Sequence, residues 1–102
     1  MIQVDPIQVV TEPHRRRILR LVWDEEMAAG DIAAEFDITF GAVSQHLAIL
    51  RRSGYVDVRV DGNRRLYLAN PEGLGALRPI LEAMWSEALD DLADVIEKQQ
   101  PR

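Results

Sequence analysis

Residues 37–54, DITFGAVSQHLAILRRSG, constrain this chain more than any other stretch. They read as an amphipathic helix with both ends marked. Thr39 suits an N-cap, because its hydroxyl can accept one of the orphan amide protons of a first helical turn. Gly54 follows the basic pair Arg51 and Arg52, where a helix commonly stops on a left-handed glycine. Between those ends Val43, Leu47 and Leu50 recur at helical spacing and form one buried stripe. At 100° per residue the opposite face carries Gly41, Gln45, Ala48 and Arg52, with Ser44 on its flank. A solvated helix face is usually richer in Glu and Lys. This one is small and uncharged until its terminal arginine, which suits close approach to another surface.

The preceding segment, AAGDIAAEFD, is a second short amphipathic pattern with Ile32, Ala33 and Phe36 inward. Two short helices joined by a tight turn describe a helix-turn-helix, spanning about residues 28–53. In that motif the second helix enters the DNA major groove and its N-terminal residues meet base edges. An ordinary helical hairpin has the same spacing, so the distinction rests on the residues after Gly54. There the period changes to two: Val56, Val58 and Val60 alternate with Asp57, Arg59 and Asp61, as in a half-buried strand. Asp61-Gly62-Asn63 is a hairpin turn signal. The return strand places Leu66 and Leu68 on one face and Arg65, Tyr67 and Ala69 on the other. Residues 55–69 thus form a hairpin with Arg59, Arg64 and Arg65 near its tip. A helix-turn-helix followed at once by such a hairpin is a winged helix, whose wing lies along the DNA backbone or in a narrow minor groove that attracts arginine.

The net charge of −5 argues at first against a polyanionic partner. Its distribution reverses that argument. Residues 39–70 hold five arginines against two aspartates, for +3, whereas residues 1–38 and 71–102 each carry −4. The one basic segment contains the candidate recognition helix, and a local positive face on an acidic body can neutralise phosphates. A chain of 102 residues is sized for one domain. It has no cysteine, which removes disulfides and thiolate metal sites and fits a reducing compartment. No apolar run approaches the ~20 residues of a membrane span. The N-terminus lacks the layout of a signal peptide. The expectation is a cytoplasmic protein without a membrane partner.

Asp5-Pro6 and Glu12-Pro13 each read as a cap followed by proline at the first helical position. They predict helices over 6–11 and 13–23, the second with Ile18, Leu21 and Val22 buried. Arg15, Arg16, Arg17 and Arg20 spread around the rest of it, to be solvated or paired with local acids. Asn70-Pro71-Glu72 is another cap, opening a short helix near 71–77. A long helix is expected from about 78 to 98, with Pro79 in its first turn. Leu77, Leu81, Met84, Trp85, Ala88, Leu92 and Val95 form its apolar stripe. Twenty-one residues make a rod of ~31 Å, more than so small a body covers. The excess points to a partner helix, most simply in a symmetric homodimer. Ile7 and Val10 of the first helix are the further interface candidates. Trp23 and Trp85 are core or dimer-interface aromatics.

Three stretches carry a family resemblance: EPHRRRILRLV, GDIAAEFDITFGAVSQHLAILRRSGYV and GNRRLYLANPEGLGALRPILEAMW. In this order they resemble the ArsR/SmtB winged-helix repressors across nearly the whole chain. The most specific part is Ala42-Val43-Ser44-Gln45-His46-Leu47, followed by Leu50 and Ser53-Gly54-Tyr55-Val56. Phe40 departs from the family, whose members often carry a polar residue there. Metal-sensing branches place cysteines at the positions of Ala28 and Gly30, or use Asp and His ligands on the long last helix. This chain has no cysteine, and no histidine beyond position 46. Its only histidines, His14 and His46, form no ligand set recognisable by spacing.

The expected fold is mainly α with a small β-hairpin, a winged helix-turn-helix dimeric through its terminal helices. The expected function is a homodimeric repressor binding double-stranded DNA at a pseudo-palindromic operator, with no metal, cofactor or catalytic residue. An unidentified small-molecule effector stays open. The DNA-binding candidates are Thr39, Gly41, Ser44, Gln45, His46, Arg52, Arg59, Arg64 and Arg65. For His46, a structural hydrogen bond and a phosphate contact are equally compatible with its place beside the buried stripe. The dimer candidates are Ile7, Val10, Leu77, Leu81, Met84, Trp85 and Ala88. A winged-helix protein-interaction module that has lost DNA binding is the alternative, kept alive by the acidic total. No nucleophile with its base, carboxylate pair or phosphate loop suggests an enzyme, and Asp90, Asp91 and Asp94 read as a solvated face.

Overall fold

Two proline-opened helices begin the fold, α1 (Pro6–Thr11) and α2 (Pro13–Leu21). The computed structural model describes residues 5–86. The Asp5 carboxylate accepts the Ile7 amide at 2.9 Å, and the Glu12 carboxylate accepts the Arg15 amide at 2.8 Å, so each helix has its expected acidic cap. Val9 and Val10 of α1 are buried, as are Ile18 and Leu19 of α2. Leu19 takes the place expected of Leu21, which is only half-buried. Because α1 and α4 both pack on α2, its buried face is wider than one stripe.

Among the described residues the α2 arginines form no ion pair with an acid. Arg15 donates from Nε to the Val9 carbonyl at 2.8 Å and from Nη2 to the Gln8 carbonyl at 3.2 Å. Arg16 donates to the Thr11 carbonyl at 3.0 Å. Both therefore satisfy carbonyls that the end of α1 leaves without helical partners. Arg17 lies over the Phe36 ring, 4.9 Å from its centroid.

Met27–Ala28 form a strand, β1, that the residue pattern did not reveal. Two residues are too few to show a period. α3 (Ala29–Ala33) follows, and then the turn into α4 (Phe40–Arg52). The Thr39 hydroxyl accepts the Ala42 amide at 3.1 Å, and Val43, Leu47 and Leu50 are buried in the core. At the other end Gly54, with φ of 81°, donates to the Arg51 carbonyl while Tyr55 donates to Leu50, both at 3.0 Å. That pair of bonds is a Schellman motif, and it requires the left-handed glycine.

β2 (Val56–Asp61) and β3 (Arg64–Ala69) form the hairpin, and β3 is the middle strand of an antiparallel sheet ordered β1-β3-β2. Gly62, with φ of 65°, leads the two-residue turn, as a II′ hairpin demands. The register pairs Val56 with Ala69, Val58 with Tyr67 and Val60 with Arg65. Opposed residues share a face, so Val56, Val58, Tyr67 and Ala69 turn toward the core. The other face carries Arg59 opposite Leu66 and Asp61 opposite Arg64.

α5 (Pro71–Leu74) is shorter than the expected 71–77 and is capped by Asn70, whose Oδ1 accepts the Glu72 and Gly73 amides. Gly73 lies against the turn after α4: a Cβ there would sit 1.7 Å from the Gly54 carbonyl oxygen. Residues 77–86 are helical (α6), with Pro79 in the first turn as expected. Leu81 is buried in the core, and Trp85 meets Trp23 edge-on with centroids 4.7 Å apart at 87°. The rest of the expected long helix, including Ala88, Leu92 and Val95, lies outside the described residues. No described helix is long and apolar enough to cross a membrane.

Candidate nucleic-acid interface

Burial of Val43, Leu47 and Leu50 fixes which side of α4 meets solvent. Phe40, Gly41, Ser44, Gln45, Ala48, Arg51 and Arg52 all lie on the exposed side. Phe40 is 59% exposed at the first helical position, a large apolar ring with no place in the core. A Cβ on Gly41 would make only an ordinary 3.9 Å contact with Thr39 Oγ1, so internal packing does not demand that glycine. Thr39 itself is occupied as the cap.

The wing stands beside this face. Arg65 shares a concavity of about 400 Å³ with Ser44, Ala48, Arg52 and Tyr67. A second concavity of about 560 Å³ opens between Phe40, Ser44 and Arg64, with α3 as its floor. The three wing arginines are not equivalent. Arg59 is held by Glu26, with Nε donating to the carboxylate at 2.9 and 3.2 Å and Nη2 closing a fork. That hydrogen bonding holds the Glu26 carboxyl below its usual range and the Arg59 guanidinium above its own. Arg64 stands 3.5 Å from the Asp31 carboxylate, a loose and exposed contact. Arg65, Arg51 and Arg52 form no ion pair among the described residues. Any DNA contact from Arg59 thus competes with an internal partner that sequence spacing could not show, 33 residues away.

His46 lies apart from this exposed face. It sits on the side of α4 that faces α2, not on the exposed side. Its Nδ1 lies 3.7 Å from Glu12 Oε2 and 3.3 Å from Arg15 Nη1, and its ring stacks on His14 at 5.4 Å and 19°. Burial lowers its pKa; Glu12 opposes that shift, and Arg15 and His14 add to it. Burial works against ionisation of Glu12, yet the Arg15 amide, the His14 ring and amide and the His46 charge outweigh it and hold the carboxyl low. The internal hydrogen bond, one of the two readings of His46, is made with Arg15. Glu12, His14 and His46 also place ligand atoms within 4.8 Å of one another, a grouping that sequence spacing did not reveal. The two histidines are 32 residues apart, and no spacing rule connects them.

The dimer candidates divide in the same way. Val10 and Leu81 are 6% and 1% exposed, because each packs into the core of its own chain. Leu77 and Trp85 are half-buried against that core. Ile7 and Met84 remain exposed, and so does Ile80, one turn before Met84.

A sequence profile of bacterial regulatory proteins of the arsR family matches residues 12–58, from the Glu12 cap to the middle of β2. The HTH-type transcriptional regulator Rv2034 of Mycobacterium tuberculosis is 35% identical over 92 residues, covering 90% of this chain and 86% of that protein. The transcriptional activator HlyU of Vibrio cholerae is 27% identical over 82 residues, covering 80% of this chain and 76% of its own. Among solved structures, a possible transcriptional regulator for arsenical resistance superposes with a TM-score of 0.70 at 37% identity, covering 90% of this chain and 96% of its own. Reduced HlyU from Vibrio cholerae gives a TM-score of 0.65 at 28% identity over 76% of this chain and 79% of its own. With α3 and α4 set as a helix-turn-helix, an arginine-bearing wing beside them and relatives of this extent, the chain belongs to the ArsR family of DNA-binding transcriptional regulators.

Proposed function

We propose that the protein is a homodimeric repressor that reads a pseudo-palindromic operator with the exposed side of α4, acting in the cytoplasm and catalysing nothing. The observation that carries this reading is the first two turns of α4, where Gly41, Ser44 and Gln45 are exposed and Ser44 shares a concavity with Arg65, which has no ion pair among the described residues. A glycine inside a helix costs about 1 kcal/mol relative to alanine. Since the packing does not demand Gly41, a closely approaching outer surface accounts for it. Gln45 is placed for a bidentate contact to adenine, Ser44 for a single hydrogen bond, and Phe40 for apolar contact with a thymine methyl. Arg52 and Arg65 neutralise phosphates on either side.

Two recognition helices must stand ~34–36 Å apart to read successive major grooves. The exposed pair Ile80 and Met84, one turn apart on α6, gives the seam that would hold them, with Ile7 as a flanking contact. Relatives exist under both signs of control, HlyU as an activator and SdpR of Bacillus subtilis as a repressor, the latter 35% identical over 63 residues. Selection of bound duplexes from a random pool, followed by a reporter carrying the selected site over its promoter, tests both parts. An inverted-repeat consensus and reduced reporter output support the proposal. A half-site consensus without symmetry overturns the dimer, and raised output overturns repression.

A further inference from the structure

Apart from the DNA face, the described residues gather one cluster of metal-ligating groups. Glu12 caps α2, His14 stands two residues further on, and His46 reaches them from the inner side of α4. Their ligand atoms lie within 4.8 Å of one another. The Glu12 carboxylate bridges the two rings, with Oε1 at 2.9 Å from His14 Nδ1 and Oε2 at 3.7 Å from His46 Nδ1. The rings stack nearly parallel, 19° apart, with centroids 5.4 Å from each other.

We propose that Glu12, His14 and His46 form a binding site for a divalent transition metal of the imidazole-preferring kind, such as Zn²⁺ or Co²⁺. Two imidazoles and a carboxylate are the ligand set of three-residue zinc sites that keep a fourth position for water. Tetrahedral bonds of ~2.0–2.2 Å put ligand atoms ~3.4 Å apart. The cluster reaches that by side-chain rotation, with Glu12 and His14 anchored at the start of α2 and His46 in the middle of α4. His14 is the freer ring, 42% exposed, and gives the ion its route from solvent. Carboxylate and imidazole oxygens and nitrogens favour such ions over Ca²⁺ or Mg²⁺, which take oxygen sets. Arg15 opposes binding, since Nη1 lies 3.3 Å from His46 Nδ1. Its Nε and Nη2 are held on the Val9 and Gln8 carbonyls, so only the Nη1 hydrogen bond to the His46 Nδ1 lone pair must be given up for an ion to take that nitrogen. A bound ion would fasten the inner side of the recognition helix to α2. Any effect on DNA affinity rests on the regulatory reading above, whereas the site itself does not.

The chain has two histidines and no cysteine, so imidazole coordination can come from nowhere else. Tag-free protein is titrated with Zn²⁺ alone by calorimetry, and the histidine ring nitrogens are followed by ¹⁵N NMR. Equimolar binding that shifts both rings is the expected result. His14→Ala, at an exposed position outside the core, should weaken it ~10-fold or more, since loss of even an outer-shell partner costs that much. Glu12→Gln, which keeps an acceptor for the cap, should also weaken it, with circular dichroism confirming the fold of each variant. Binding that leaves both ring signals in place would put the ion on surface carboxylates and overturn the site. So would equal affinity in His14→Ala, or no binding at millimolar Zn²⁺. A site confirmed by NMR with unaltered DNA affinity overturns only the coupling.

Discussion

The wing arginines provide the sharpest test of the interface, because the structure ranks them. Arg65 is exposed, unpaired among the described residues and adjacent to Ser44 and Arg52, whereas Arg59 is forked onto Glu26. Each phosphate neutralised on duplex DNA adds about 0.9 to the slope of log K against log salt. A dimer presents two wings, so Arg65→Ala removes two contacts and should lower the slope by ~1.8. Over a fourfold rise in salt that difference amounts to roughly 12-fold less salt-induced loss of affinity. Arg59→Ala should leave the slope unchanged, because an arginine already neutralised by a carboxylate releases no counterion. Arg64 falls between, since its 3.5 Å contact with Asp31 is exposed and such pairs contribute ~0–1 kcal/mol. Fluorescence anisotropy on one operator duplex across 50–200 mM salt measures all three. An unaltered slope in Arg65→Ala would remove the wing from the DNA. An equal fall in Arg59→Ala would show that the Glu26 fork opens on binding and that the ranking is wrong.

Further predictions cover base reading, assembly and stability. Gln45→Ala should cost about 1–3 kcal/mol on the operator and little on random DNA, measured by competition binding; equal losses would leave Gln45 with no base contact. Met84→Asp should give a folded monomer by sedimentation, since a buried unpaired carboxylate costs several kcal/mol; an intact dimer would move the seam away from α6. Gly73→Ala should destabilise the fold by ~3 kcal/mol in urea unfolding, the upper end for overpacking, because its Cβ would meet the Gly54 carbonyl at 1.7 Å. A loss below ~1 kcal/mol would show that α5 shifts freely. Burial pushes the Tyr55 hydroxyl above its usual pKa, with the Asp5 charge adding to the shift. Its neutral form therefore contributes stability that is full below the unfolded value of about 10 and is lost as pH rises through the folded one. Tyr55→Phe should flatten that alkaline decline, and an unchanged decline would assign it to other groups.

Local chemistry determined much of this protein from sequence alone. A cap needs one side chain and a few following amides, so Asp5, Glu12, Thr39 and Asn70 mark helix starts before any tertiary contact exists. The Schellman glycine at 54 and the turn glycine at 62 are equally local, since only a left-handed φ is at stake. The stripe Val43, Leu47 and Leu50 likewise orients α4, and with it the exposed Gly41, Ser44 and Gln45. Tertiary structure alone decided which charges are free and which apolar groups are covered. Arg59 meets Glu26, and His46 meets Glu12, across separations of more than 30 residues, where no periodicity carries information. The two-residue strand β1 exists because β3 has an edge to pair, not because Met27 and Ala28 prefer extended backbone. Leu81 and Met84 look alike in the stripe of α6, yet the body of the fold covers only Leu81. Periodicity says that a face is apolar. What that face touches depends on where the other elements stop.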